Sequence, residues 1–126
     1  MKHLFVVLCL LFFSSFALHA QSEDRRLTVL NRTMNFGNVM PDSTLVAKFF
    51  FVNSGTQKVE IEYVNPDCTC AGYRLSSKTL NPRDTAYVEL QVKTSGRFGR
   101  HRVHSTMKAN TPVGNYLFTV VFTVMD

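Results

Sequence analysis

Tryptophan is absent from the chain, and cysteine occurs only three times in 126 residues. The missing tryptophan excludes an antibody-type domain, whose core is a buried tryptophan packed on a disulfide between two sheets. The cysteines exclude a disulfide-stapled scaffold. Cys9 lies in an apolar stretch near the start, and Cys68 and Cys70, two positions apart, cannot join distant parts of a fold. The longest apolar run, Leu4 to Leu18, falls short of the about 20 residues that a bilayer span needs. Helical periodicity is missing after residue 20, and no Ser-His-Asp arrangement, phosphate-binding loop or dinucleotide motif is present.

That short apolar run has the layout of a secretory leader. Lys2 and His3 form a basic start, Leu4 to Leu18 the hydrophobic region, and Ala20 the small residue ahead of a cut before Gln21. An uncleaved anchor is the alternative, favoured only by the bulk of Leu18 two places before Ala20. A lipoprotein is expected still less than an anchor, because Cys9 sits inside the run and follows Leu8, where a small residue is needed. The chain therefore divides into a signal peptide at 1–20 and one domain at 21–126, exported to the periplasm or secreted to the cell surface. Processing removes one basic residue, Lys2, of 14 and none of the nine acidic ones, leaving a net charge of +4. Such a balance is too small and too dispersed for nucleic-acid binding. No stable membrane span is expected after processing.

Strict alternation of apolar and polar residues runs through the rest. Strands are predicted at 27–36, 45–53, 58–64, 71–75, 86–93, 100–109 and 116–124, separated by Pro, Gly and Asn turns. In the second, Leu45, Ala47, Phe49 and Phe51 share one face, while Val46, Phe50 and Val52 make the other partly apolar, as a covered central strand would be. In the third, Val59, Ile61 and Tyr63 face one way and Lys58, Glu60 and Glu62 the other. Ala71 to Leu75 reads as a short edge strand. About seven short strands at this spacing predict an all-β, antiparallel, immunoglobulin-like β-sandwich.

The turn residues recur in a recognisable order: Asn35-Phe36-Gly37, Val46 to Asn53 followed by Gly55, Asp67-Cys68-Thr69-Cys70, Leu80-Asn81-Pro82, Lys93-Thr94 to Gly99, and Asn110. Over nearly all of the mature chain this resembles the bacterial domain-of-unknown-function family 1573, an exported Ig-like family related to abnormal-spindle and hydin-type sandwich domains. The resemblance implies the sandwich fold and export; the family has no established activity to imply. Members carry glycine between the two cysteines and after the proline, where this chain has Thr69 and Arg83. Thr69 is expected to make a tight turn between the sulfurs less easy.

Cys68 and Cys70 are the first candidates for chemistry. On an extended chain residues i and i+2 face the same side, with Cα atoms roughly 6.5 Å apart, near the limit for a disulfide. Three readings stay open: an inert pair or packed thiols, a redox-active disulfide in a small ring, and a thiolate pair holding a soft metal ion. His101 and His104, three apart on a strand, face opposite sides and cannot share one ion. Glu60 and Glu62 are co-facial carboxylates, but an exposed face beside Lys58 explains them without catalysis. Arg97, Arg100, His101, Arg102, His104 and Lys108 concentrate positive charge on the sixth strand and the loop before it, a candidate docking patch for a protein, glycan or lipid headgroup. The expected function is a non-enzymatic interaction module that uses no cofactor, with a sheet edge open to a partner strand. The alternative is a redox or metal-handling protein centred on the cysteine pair.

Overall fold

The computed structural model describes residues 24–126, and every regular element in it is a strand. The expected leader at 1–20 lies outside the described residues. In chain order the strands are β1 (Leu27–Val29), β2 (Thr33–Val39), β3 (Thr44–Asn53), β4 (Val59–Pro66), β5 (Ala71–Leu75), β6 (Thr79–Leu80), β7 (Thr85–Lys93), β8 (Gly99–Ala109) and β9 (Asn115–Val124). They form two sheets, ordered β1-β3-β7-β5 and β2-β9-β8-β4-β6. The chain is an immunoglobulin-like sandwich, antiparallel except where β2 runs parallel to β9.

Alternation builds the core. Ala47, Phe49 and Phe51 of β3 and Val88, Leu90 and Val92 of β7 are fully buried on the inner face of the first sheet. Phe118, Val120 and Phe122 of β9 and Met107 of β8 meet them from the second. Phe49 and Phe118 stack across the gap with ring centroids 5.0 Å apart, locking the two layers face to face.

Four details differ from the pattern read along the chain. The stretch 27–36 is two strands in different sheets. β1 pairs with β3, and the chain then crosses to pair β2 with β9. Asn31 makes the crossing possible: its amide donates to the Lys48 carbonyl (2.9 Å) and accepts from the Phe50 N–H (2.9 Å), continuing the ladder as the backbone leaves it. Secondly, β3 is central in its ladder but bare on its outer face, where Val46 is 47% and Phe50 38% exposed. Phe50 rests on Tyr87 of β7 (5.6 Å) rather than under another layer. Thirdly, a bulge between Ile61 and Tyr63 resets the parity of β4. Glu62 and Tyr63 both point outward, and Val64 takes the buried position. Fourthly, β6, two residues paired to Val59 and Glu60, is too short to show any alternation.

Gly55, in the turn after β3, is fixed by space. A Cβ there would lie 2.2 Å from the Asp24 carbonyl oxygen, so space against the N-terminal segment, not positive φ, demands glycine. Asn53 before it is buried, its amide bonded to the Gln57 and Leu80 carbonyls and the Gly55 N–H.

A disulfide turn between the sheets as candidate functional site

β4 belongs to the second sheet and β5 to the first, so residues 67–70 carry the chain across one side of the sandwich. Proline at 66 has no N–H to extend the ladder. Asp67 finishes it instead: its N–H donates to the His104 carbonyl (2.8 Å), and its carboxylate accepts from the His104 N–H (2.9 Å). A reverse turn follows, closed by the Ala71 N–H on the Cys68 carbonyl (3.1 Å). On the far side the Lys93 N–H holds the Cys70 carbonyl (3.0 Å). The turn draws the two Cα atoms to 5.1 Å, and the sulfurs are joined as a disulfide. Thr69 is no obstacle, because the turn leaves it at negative φ; positive φ outside glycine occurs at Asp42 and Arg83 among the described residues.

The two sulfurs have unequal surroundings. Cys68 Sγ accepts the Cys70 N–H (3.1 Å) and an Arg97 guanidinium N–H (3.2 Å). No donor to Cys70 Sγ is present among the described residues. Arg97 reaches the sulfur from the loop between β7 and β8, which is anchored at both ends. Fully buried Thr94 takes the Ser43 N–H on its hydroxyl (2.8 Å) at one end. His101 Nε2 lies 2.8 Å from the Phe98 carbonyl at the other. Beside the turn opens a pocket of about 410 Å³ lined by Asp67, Cys68, Thr69, Arg97, His101 and Arg102, with Val103 and Phe122 as its apolar wall.

The six basic residues of the candidate patch are dispersed over several surroundings. Arg97 serves the sulfur, and His101 turns toward the end of the core, stacked on Phe122 with centroids 5.5 Å apart. His104 lies on the opposite face, its Nδ1 3.0 Å from the Thr119 hydroxyl. Lys108 pairs with Glu62 (3.5 Å), and Glu60 pairs with Lys58 (3.6 Å), which accounts for both candidate carboxylates. Arg100 and Arg102 are exposed, and neither has a carboxylate within 4 Å among the described residues.

Their strand has an open side. β8 pairs with β9 along its length, but β4 covers it only from Ser105 onward. Because His104 directs both its N–H and its carbonyl toward Asp67, alternation directs those of Arg102 and Arg100 to the same side. Nothing among the described residues pairs with them there. In the disulfide neither sulfur is a thiolate, and no group of three His, Cys, Asp or Glu converges on a metal position among the described residues. The role of Arg97 toward sulfur had no local signal: 29 positions separate it from Cys68, and only the folded loop brings them together.

Residues 27–124 match the family described as "Protein of unknown function (DUF1573)". The chain belongs to this family. Curated proteins give no match. Among solved structures the family fold shown here is similar to a protein of unknown function from Porphyromonas gingivalis W83, at 11% identity and a TM-score of 0.70, over 84% of this chain and 50% of that one. It is similar also to the ASH / PapD-like domain 7 of human CEP192, at 13% identity and a TM-score of 0.61, over 86% and 92% of the two chains. A third likeness is to the secreted serine protease VesC from Vibrio cholerae, at 13% identity and a TM-score of 0.61, over 79% of this chain and 23% of the protease. The chain thus spans half of the Porphyromonas protein and about a quarter of the protease, and all three likenesses establish the fold alone.

Proposed function

We propose that the chain is an exported binding module that takes an extended, acidic segment of a partner polypeptide along the open half of β8. Export is supported by the leader pattern at 1–20. Binding, rather than hydrolysis, is supported by the ion pairs that occupy Glu60 and Glu62. The observation that carries the reading is the uncovered ladder at Arg100 and Arg102, where unpaired backbone groups of β8 sit beside two outward arginines and an apolar-walled pocket. Added strands gain affinity from such backbone groups and specificity from neighbouring pockets. Arginines there favour a carboxylate-bearing strand over a neutral one.

Proline at 102 tests this without unfolding the sandwich, because the Arg102 N–H faces the open side and joins no ladder. Immobilised processed protein is expected to retain one or more polypeptides from envelope extracts at low salt. Retention should be lost at high salt and in Arg102→Pro, while the melting temperature of that variant stays close to the parent. Equal retention by Arg102→Pro overturns the β8 assignment. As a control, Val103→Pro should unfold the protein, since the Val103 N–H faces β9.

A further inference from the structure

We propose that Cys68–Cys70 is a thiol–disulfide exchange site in which Cys70 is the sulfur attacked, Cys68 the sulfur that leaves, and Arg97 the group that receives the leaving charge. The inference goes beyond the docking reading and stands without it.

The asymmetry of the two sulfurs is the first argument. Exchange rates rise as the leaving thiolate becomes more stable. Cys68 Sγ already accepts two N–H donors, one of them from a guanidinium whose charge no carboxylate within 4 Å neutralises among the described residues. A thiolate formed at Cys68 would find both donors in place, whereas one formed at Cys70 would find neither. Access is the second argument. Both cysteines, Cys70 included, are only half-buried at the surface of the core. The third argument is that the bridge has little structural work. It links residues two apart, and the turn around it is held by backbone hydrogen bonds to His104 and Lys93 that do not involve sulfur. Opening the bridge therefore leaves both flanking strands docked.

The step balances as follows. A partner thiolate attacks Cys70 Sγ; the new S–S bond forms as the Cys68–Cys70 bond breaks, and its electron pair leaves on Cys68 Sγ as a thiolate beside Arg97. The product is a mixed disulfide on Cys70. Where the partner carries a second thiol, its thiolate attacks the partner sulfur of that mixed disulfide and expels Cys70 as thiolate. The partner dithiol has then lost two electrons and this chain has gained them.

Reduced glutathione is a sufficient probe. The oxidised full-length mature protein is mixed with glutathione, quenched with excess N-ethylmaleimide, and mapped by mass spectrometry. Glutathione is expected on Cys70 and maleimide on Cys68; the reverse assignment overturns the proposal. Arg97→Met, which keeps the aliphatic stem, should slow the reduction roughly 3- to 10-fold through a less stabilised leaving thiolate. Arg97→Lys should recover most of the rate, because a cation is restored even though the loop contact is altered. Folded Arg97→Met protein reduced as fast as the parent overturns the role of Arg97, and if Met and Lys variants slow equally, the effect is one of loop structure and the proposal also fails.

Discussion

Arg83 holds a backbone conformation that its own side chain opposes. Its φ is 73°, in a turn that begins Asn81-Pro82 and closes with the Asp84 N–H on the Asn81 carbonyl. Proline at the second position and positive φ at the third define the type II arrangement, which wants glycine third. The Arg83 N–H is meanwhile bonded to the Asn53 carbonyl (2.9 Å), so the backbone cannot relax to negative φ without losing a tie to β3. A left-handed conformation costs an ordinary residue about 1–2 kcal/mol, and glycine returns part of that as unfolded-state entropy. Arg83→Gly is therefore expected to stabilise the domain by about 0.5–1 kcal/mol, read as a higher urea midpoint at unchanged slope. A midpoint equal to or below the parent's would show that the turn is not strained. The departure from the family's glycine was visible in the sequence; that it sits at positive φ was not, whereas the similar departure at Thr69 turns out to be harmless.

At the scale of elements, the crossing from β1 to β2 depends on one amide. Asn31 stands in for two missing backbone groups against Lys48 and Phe50, and Arg32 then opens the new ladder by accepting the Thr119 N–H (2.8 Å). Asn31→Ala should cost about 0.5–1.5 kcal/mol, since both groups it leaves are near solvent. Hydrogen exchange should quicken at the Phe50 amide, which faces Asn31, and stay slow at Phe49, which faces β7. Equal protection in the variant would mean that the β1 ladder holds without the amide. The inner faces of β3, β7 and β9 were legible from alternation, because long strands buried on one side must repeat with period two. The sheet exchange at Asn31 was not, since an asparagine within an alternating stretch breaks no pattern. Nor was the bulge in β4: Glu62 and Tyr63 keep polar and apolar in sequence, and only the burial of Val64 shows that the parity has shifted. In the candidate site the cysteine pair was legible from spacing; of the two donors that distinguish Cys68 from Cys70, the Cys70 N–H is local, but Arg97 comes from the loop before β8, 29 positions along the chain.

At the scale of the whole molecule the question is whether the facing layers or the disulfide hold the sandwich together, and magnitudes decide it. Closing a loop of about three residues removes only roughly 1.5 kcal/mol of unfolded-chain entropy. Full burial of one phenylalanine contributes about 1.5–3 kcal/mol, and Phe49, Phe51, Phe118 and Phe122 are all fully buried. Replacing both Cys68 and Cys70 by serine should thus leave a folded, cooperatively melting protein whose melting temperature falls by about 10 °C or less. Phe118→Ala, by contrast, removes half of the stack that joins the sheets and should cost about 3–5 kcal/mol, a far larger drop in the same thermal scan. If the serine variant instead lost its cooperative transition while Phe118→Ala kept it, cohesion would reside in the crossover turn. Opening the bridge would then unfold the domain, and the disulfide could not serve as an exchange site in a standing fold.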